Sequence, residues 1–70
     1  MNIELINRII AEAVEVFNEY KGQLRYGQCI FNTAKEYCEF DTKDVVSMGV
    51  DCFYDDKKVE DFLHYIGENF

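Results

Sequence analysis

Three cysteines, one histidine and fourteen carboxylates are the residues through which this 70-residue chain could do chemistry. Cys29 with His64 is the pair a thiol nucleophile and its base would need, yet neither comes with an orienting group or an oxyanion-hole motif. His64 has Glu60 and Glu68 four positions to either side, the spacing of an exposed, ion-paired histidine on a helix. A zinc site would take Cys29, Cys38, Cys52 and His64 together, without the paired C-x-x-C spacing such sites use. Cys29 and Cys38 are nine positions apart on one expected helix, about 13 Å along its axis. A disulfide closes only when the Cα atoms lie within ~7 Å. Cys52 could meet one of them in space, but a reducing compartment disfavours that bond, so the cysteines read as three ordinary thiols.

The acidic run Asp51, Asp55, Asp56, Glu60 and Asp61 invites a calcium loop. An EF-hand loop needs glycine at its sixth position and glutamate at its twelfth. Counted from Asp51, those positions hold Asp56 and Phe62. The pattern fails, and carboxylates that cap a helix explain the cluster better. No phosphate-binding loop and no serine elbow is present. The expectation is a chain with no catalytic residues, no metal and no cofactor.

Two constellations remain. Glu12, Glu15 and Glu19 recur every three or four positions, so their side chains stand ~5–6 Å apart on one helix face. A row of that kind can imitate a phosphate track and capture a basic surface, although Arg8 interrupts it. The plainer reading is a solvated face. The second constellation is a polar stripe, Arg25, Gln28 and Asn32, with Asp51, Tyr54 and Asp55 further along the chain. Either the stripe ties the later loop down by charge-assisted hydrogen bonds, or it forms a binding face with Tyr54 as aromatic anchor. The internal tie is the preferred alternative.

Helices must position these groups. The first is expected over Ile3–Tyr20, capped by Asn2 and ended near Gly22. Its apolar residues fill an arc of roughly 180°, wide enough for a central helix with several neighbours or for one partly covered in a homodimer. The second is expected over Leu24–Cys38, with Tyr26, Ile30, Ala34, Tyr37 and Cys38 inward and Phe31 at the edge. Gly27 falls within that apolar arc and costs about 1 kcal/mol of helix propensity relative to alanine. The expected return is close approach of another backbone, that of the first helix. Asp41 or Thr42 caps a short turn over Lys43–Met48 that Gly49 ends. The last helix follows the Asp55-Asp56 pair, with Val59, Phe62, Leu63, Ile66 and Phe70 as its apolar stripe. Val50 to Tyr54 reads as locally extended. The fold class is all-α, a compact three- to four-helix bundle forming one domain over residues 1–70.

Composition sets the bounds on partners. Fourteen acidic residues against seven basic ones give a net charge of −7. Direct nucleic-acid binding draws on Lys and Arg, as does an anionic membrane surface, so both are disfavoured. The charge suits a basic protein partner, and equally the plainer alternative that it keeps a small chain in solution. Hydrophobic residues make up 49% of the chain, which excludes disorder. No run approaches the ~20 apolar residues of a membrane span. The start Met-Asn-Ile-Glu lacks the features of a signal peptide, and the expected compartment is the cytoplasm.

The run Arg25-Tyr26-Gly27-Gln28-Cys29-Ile30-Phe31-Asn32, followed by Asp51-Cys52-Phe53-Tyr54-Asp55 and a terminal amphipathic helix, resembles a family of small uncharacterised phage and bacterial proteins. That family carries Arg-x-Gly-Gln-Ala-x-Phe-Asn and Asp-Pro-Phe-Tyr motifs. The resemblance spans about residues 20 to 66. Cys29 stands where the family has alanine and Cys52 where it has proline, which loosens the second loop. The family carries no activity to transfer. It implies a phage or prophage setting and a role in modifying host machinery or countering a host defence. The expectation that follows is a non-enzymatic protein-binding module engaging a host protein. The alternatives are an acidic nucleic-acid mimic that blocks a DNA- or RNA-binding protein, and a structural homodimer.

Overall fold

Asn2 opens the first helix as its position suggests. Its side-chain oxygen accepts the Leu5 N–H at 3.1 Å, occupying one of the donors a helix start leaves free. The computed structural model describes all residues, Met1–Phe70. It contains four α-helices and no strand: α1 (Ile3–Glu19), α2 (Tyr26–Tyr37), α3 (Thr42–Ser47) and α4 (Val59–Asn69), the last entered through a 3-10 turn, Asp56–Lys58. This is the expected all-α bundle. Tyr20 closes α1 as its C-cap, and α2 starts at Tyr26 rather than Leu24. Asp41 caps α3, accepting the Lys43 N–H at 2.8 Å. Gly49, with φ of 74°, turns the chain out of α3 in a conformation L-residues rarely adopt.

The helices enclose one apolar core. Ile9 and Ala13 come from α1, Cys29, Ile30, Phe31 and Ala34 from α2, Val45 from α3, and Phe62, Leu63 and Ile66 from α4. Phe31 was expected at the edge of its helix but lies buried at the centre of an aromatic cluster. It meets Phe40 edge-on at 5.2 Å, Phe53 edge-on at 5.4 Å and Phe62 in a stack at 5.5 Å. The segments following α2 and α3 fold back with Phe40 and Phe53, and these surround the Phe31 face that a helical wheel leaves at the rim. Tyr37 departs in the other direction. It is 44% exposed, and its hydroxyl donates to Glu12 on α1 instead of entering the core.

The broad apolar face of α1 is covered unevenly. It packs against α2 and α4. Ile9 and Ala13 are buried, Leu5, Ile6, Ile10, Val16 and Phe17 half-buried, while Ile3 and Val14 remain exposed. The two chain ends are stitched together, since the Asn2 N–H donates to the Gly67 carbonyl at 2.8 Å. A side chain at Gly67 would collide with Ile6 and Met1, so the missing Cβ lets α1 and α4 meet there. No helix is long and apolar enough to cross a membrane.

Candidate functional site

The first residues of α2 meet the loop between α3 and α4 in three contacts. Arg25 Nη2 donates to the Phe53 carbonyl at 3.2 Å. The Gly27 N–H donates to Asp56 Oδ1 at 2.8 Å. The buried Cys52 thiol donates to the Gly27 carbonyl at 3.3 Å. Gly27 makes the approach possible, because a Cβ there would collide with the Cys52 carbonyl oxygen. The backbone that Gly27 admits is therefore that of the loop, not of α1 as expected. Sequence spacing favours the preceding helix as the neighbour, whereas the chain brings in a segment 25 positions later.

The loop itself is built by aspartates. Asp51 accepts the Phe53 N–H at 2.9 Å, and the Asp55 N–H reaches back to the Cys52 carbonyl at 3.2 Å. Val50–Tyr54 forms no strand, and the chain bends at Phe53 and Tyr54. Asp55 caps the 3-10 turn, accepting the Lys57 N–H at 3.0 Å. Asp56 was expected to share that capping and instead serves the start of α2, where a carboxylate satisfies a free N–H and suits the helix dipole. The three carboxylates point to three separate backbone donors, and no group of three or more His, Cys, Asp or Glu side chains is arranged to hold a metal ion.

Tyr54 stands on this frame. It is 76% exposed, yet its ring is held on two sides. The Phe53 ring meets it at 4.8 Å and an interplanar angle of 65°. The Arg25 guanidinium lies 5.5 Å from its centroid, within cation–π range. Beside it opens a depression of about 220 Å³ lined by Phe31, Thr42, Asp51, Phe53 and Tyr54. Of the polar stripe, Arg25, Asp51, Tyr54 and Asp55 are gathered here. Gln28 is half-buried and Asn32 exposed, and neither contributes a hydrogen bond to the loop. The tie to the loop runs through Arg25, Gly27, Cys52 and Asp56; the latter three are apparent only once residues 27 and 56 are brought together.

The glutamate row does not stay uniform. Glu12 is half-buried and accepts the Tyr37 hydroxyl at 2.5 Å, which holds the phenol above its ordinary pKa. Glu15 and Glu19 are exposed. Arg8 pairs with Glu4 at 3.3 Å. His64 lies 3.7 Å from Glu68, on an exposed face. Cys29 is 1% exposed, far from the accessibility a nucleophile needs. All three cysteines are free and buried. Burial raises each thiol's pKa, with Asp56 adding to it at Cys29, and at Cys52 burial with Asp51 nearby pushes it up to about 12. A thiol so disfavoured as thiolate serves as packing and as a hydrogen-bond donor.

Fold and site together define a small all-α domain that presents one fixed aromatic–cationic surface feature on a cross-tied loop. No family model, no curated protein and no solved structure matches the chain.

Proposed function

We propose that this chain is a non-enzymatic protein-binding module whose contact surface centres on Tyr54 and Arg25. The observation that carries the reading is Tyr54 itself, exposed but already oriented by Phe53 and Arg25. Tyr and Arg are enriched among the residues that dominate interface energies. An aromatic ring that is held before binding loses little freedom when a partner covers it. The adjoining depression offers a place for a partner side chain, and three hydrogen bonds tie the loop to the start of α2 behind it.

The resemblance to small phage and bacterial proteins adds that the partner is a host protein. The acidic-mimic alternative has weaker support, because Glu12 is turned to Tyr37 and the row is left with Glu15 and Glu19. A photo-crosslinking residue at position 54 tests the proposal in cells. A discrete crosslinked protein from position 54, absent when the same probe replaces exposed Glu36 on α2, supports it. Equal crosslinking from both positions, or none from 54, removes it.

A further inference from the structure

The second surface of interest lies between the end of α3 and α4, and it shares no lining residue with the depression beside Tyr54. Met48, 64% exposed, projects beside half-buried Val50 and Tyr65. Around Met48 and Tyr65 run two adjoining depressions of about 320 Å³ and 310 Å³. Their rims carry Asp61 and Glu68 on α4 and Asp44 on α3, and no lysine or arginine lines either one. His64 is the sole basic side chain there, and it faces Glu68.

We infer that this groove takes a cationic amphipathic segment of a partner protein, with an apolar residue against Met48 and Tyr65 and lysines or arginines over the rim. The chemistry of the groove argues for that occupant. An exposed methionine beside Val50 and Tyr65 adapts to varied apolar side chains through its flexible, polarisable thioether. A carboxylate rim rewards flanking cations and repels anionic segments. A second copy of this chain is the poorer fit, since each copy carries a net charge of −7 and would bring further carboxylates to the rim.

The test uses a fluorescent helical peptide with leucines on one face and lysines on the other, and a counterpart with glutamates in place of the lysines. The full chain is titrated by fluorescence anisotropy, and the site is mapped from backbone amide shifts. The lysine peptide binds, more weakly as salt rises, and shifts the amides of Met48, Val50 and Tyr65. Met48→Lys lowers its affinity about tenfold. Val46→Lys adds the same charge to exposed α3 surface outside the groove and has a much smaller effect. Tyr54→Ala leaves binding unchanged, which separates this site from the Tyr54 surface. Equal losses from Met48→Lys and Val46→Lys would reduce the effect to net charge and overturn the inference. Shifts confined to Glu15 and Glu19, equal binding of the glutamate peptide, no binding, or the same shifts on merely concentrating the protein would also overturn it.

Discussion

The Arg25 guanidinium lies 5.5 Å from the centre of the Tyr54 ring while donating to the carbonyl of Phe53, the residue before it. One side chain thus fixes both the path of the loop and the attitude of its most exposed aromatic residue. Of the two readings of the polar stripe, this arrangement is an internal tie, and the proposed binding face uses the ring that it orients. Arg25 does the tying, and Tyr54 is what the tie presents.

Arg25→Ala removes a charge-assisted hydrogen bond and the cation over Tyr54. Urea denaturation should show a loss of about 1 kcal/mol. Arg25→Lys should recover little of it, because an ammonium lacks the planar fork that serves carbonyl and ring together.

Gly27→Ala should destabilise the domain by roughly 1–3 kcal/mol despite alanine's better helix propensity, because its Cβ meets a backbone carbonyl that has to move. Gly67→Ala should cost less, since it meets the flexible side chains of Ile6 and Met1. Thermal unfolding of both variants checks the order. A Gly67→Ala variant less stable than Gly27→Ala would contradict the loop contact.

Cys52 makes alkaline stability informative. Its folded-state pKa is raised from 9.0 to about 12. The stability it contributes is fully present below pH 9 and is lost as pH rises toward 12, where the unfolded chain has released a proton that the folded chain retains. Cys52→Ser keeps a donor for the Gly27 carbonyl and does not titrate there. Denaturation across this range should show a shallower loss for Cys52→Ser than for the native chain. Identical slopes would mean that the thiol is not held protonated.

Phe62→Ala should take a large share of the stability. Removing a buried aromatic costs about 3–5 kcal/mol, against a net stability of roughly 0.05–0.15 kcal/mol per residue. Far-UV circular dichroism should show helix lost at a much lower temperature than in the native chain. Tyr54→Ala should keep the native spectrum, because 76% of that residue already faces solvent.

The helices were legible because their signals are local. Asn2 before an apolar-periodic run and Asp41 before Thr42 announce caps that need only the next few residues. Arg25 and Tyr54 stand out by residue type, as the cation of the polar stripe and one of an aromatic pair flanked by Asp51 and Asp55. Asp56 did not, because its partner Gly27 lies 29 positions away. A carboxylate beside a helix start looks like that helix's own cap until the tertiary fold assigns it. Phe31 was misplaced for the same reason: a helical wheel describes one helix, and the rings that bury Phe31 come from two later loops and α4. The Tyr37–Glu12 contact also joins two helices whose relative rotation no local pattern reveals.

The proposed role of Tyr54 lies in contact and not in folding. It is tested most directly by quantitative affinity capture from lysate of the cells that make the protein, comparing native chain and Tyr54→Ala after both show the same unfolding temperature. The expected result is a protein enriched by the native chain and lost from the variant. Equal enrichment by both chains, or a Tyr54→Ala variant that no longer folds, would contradict it.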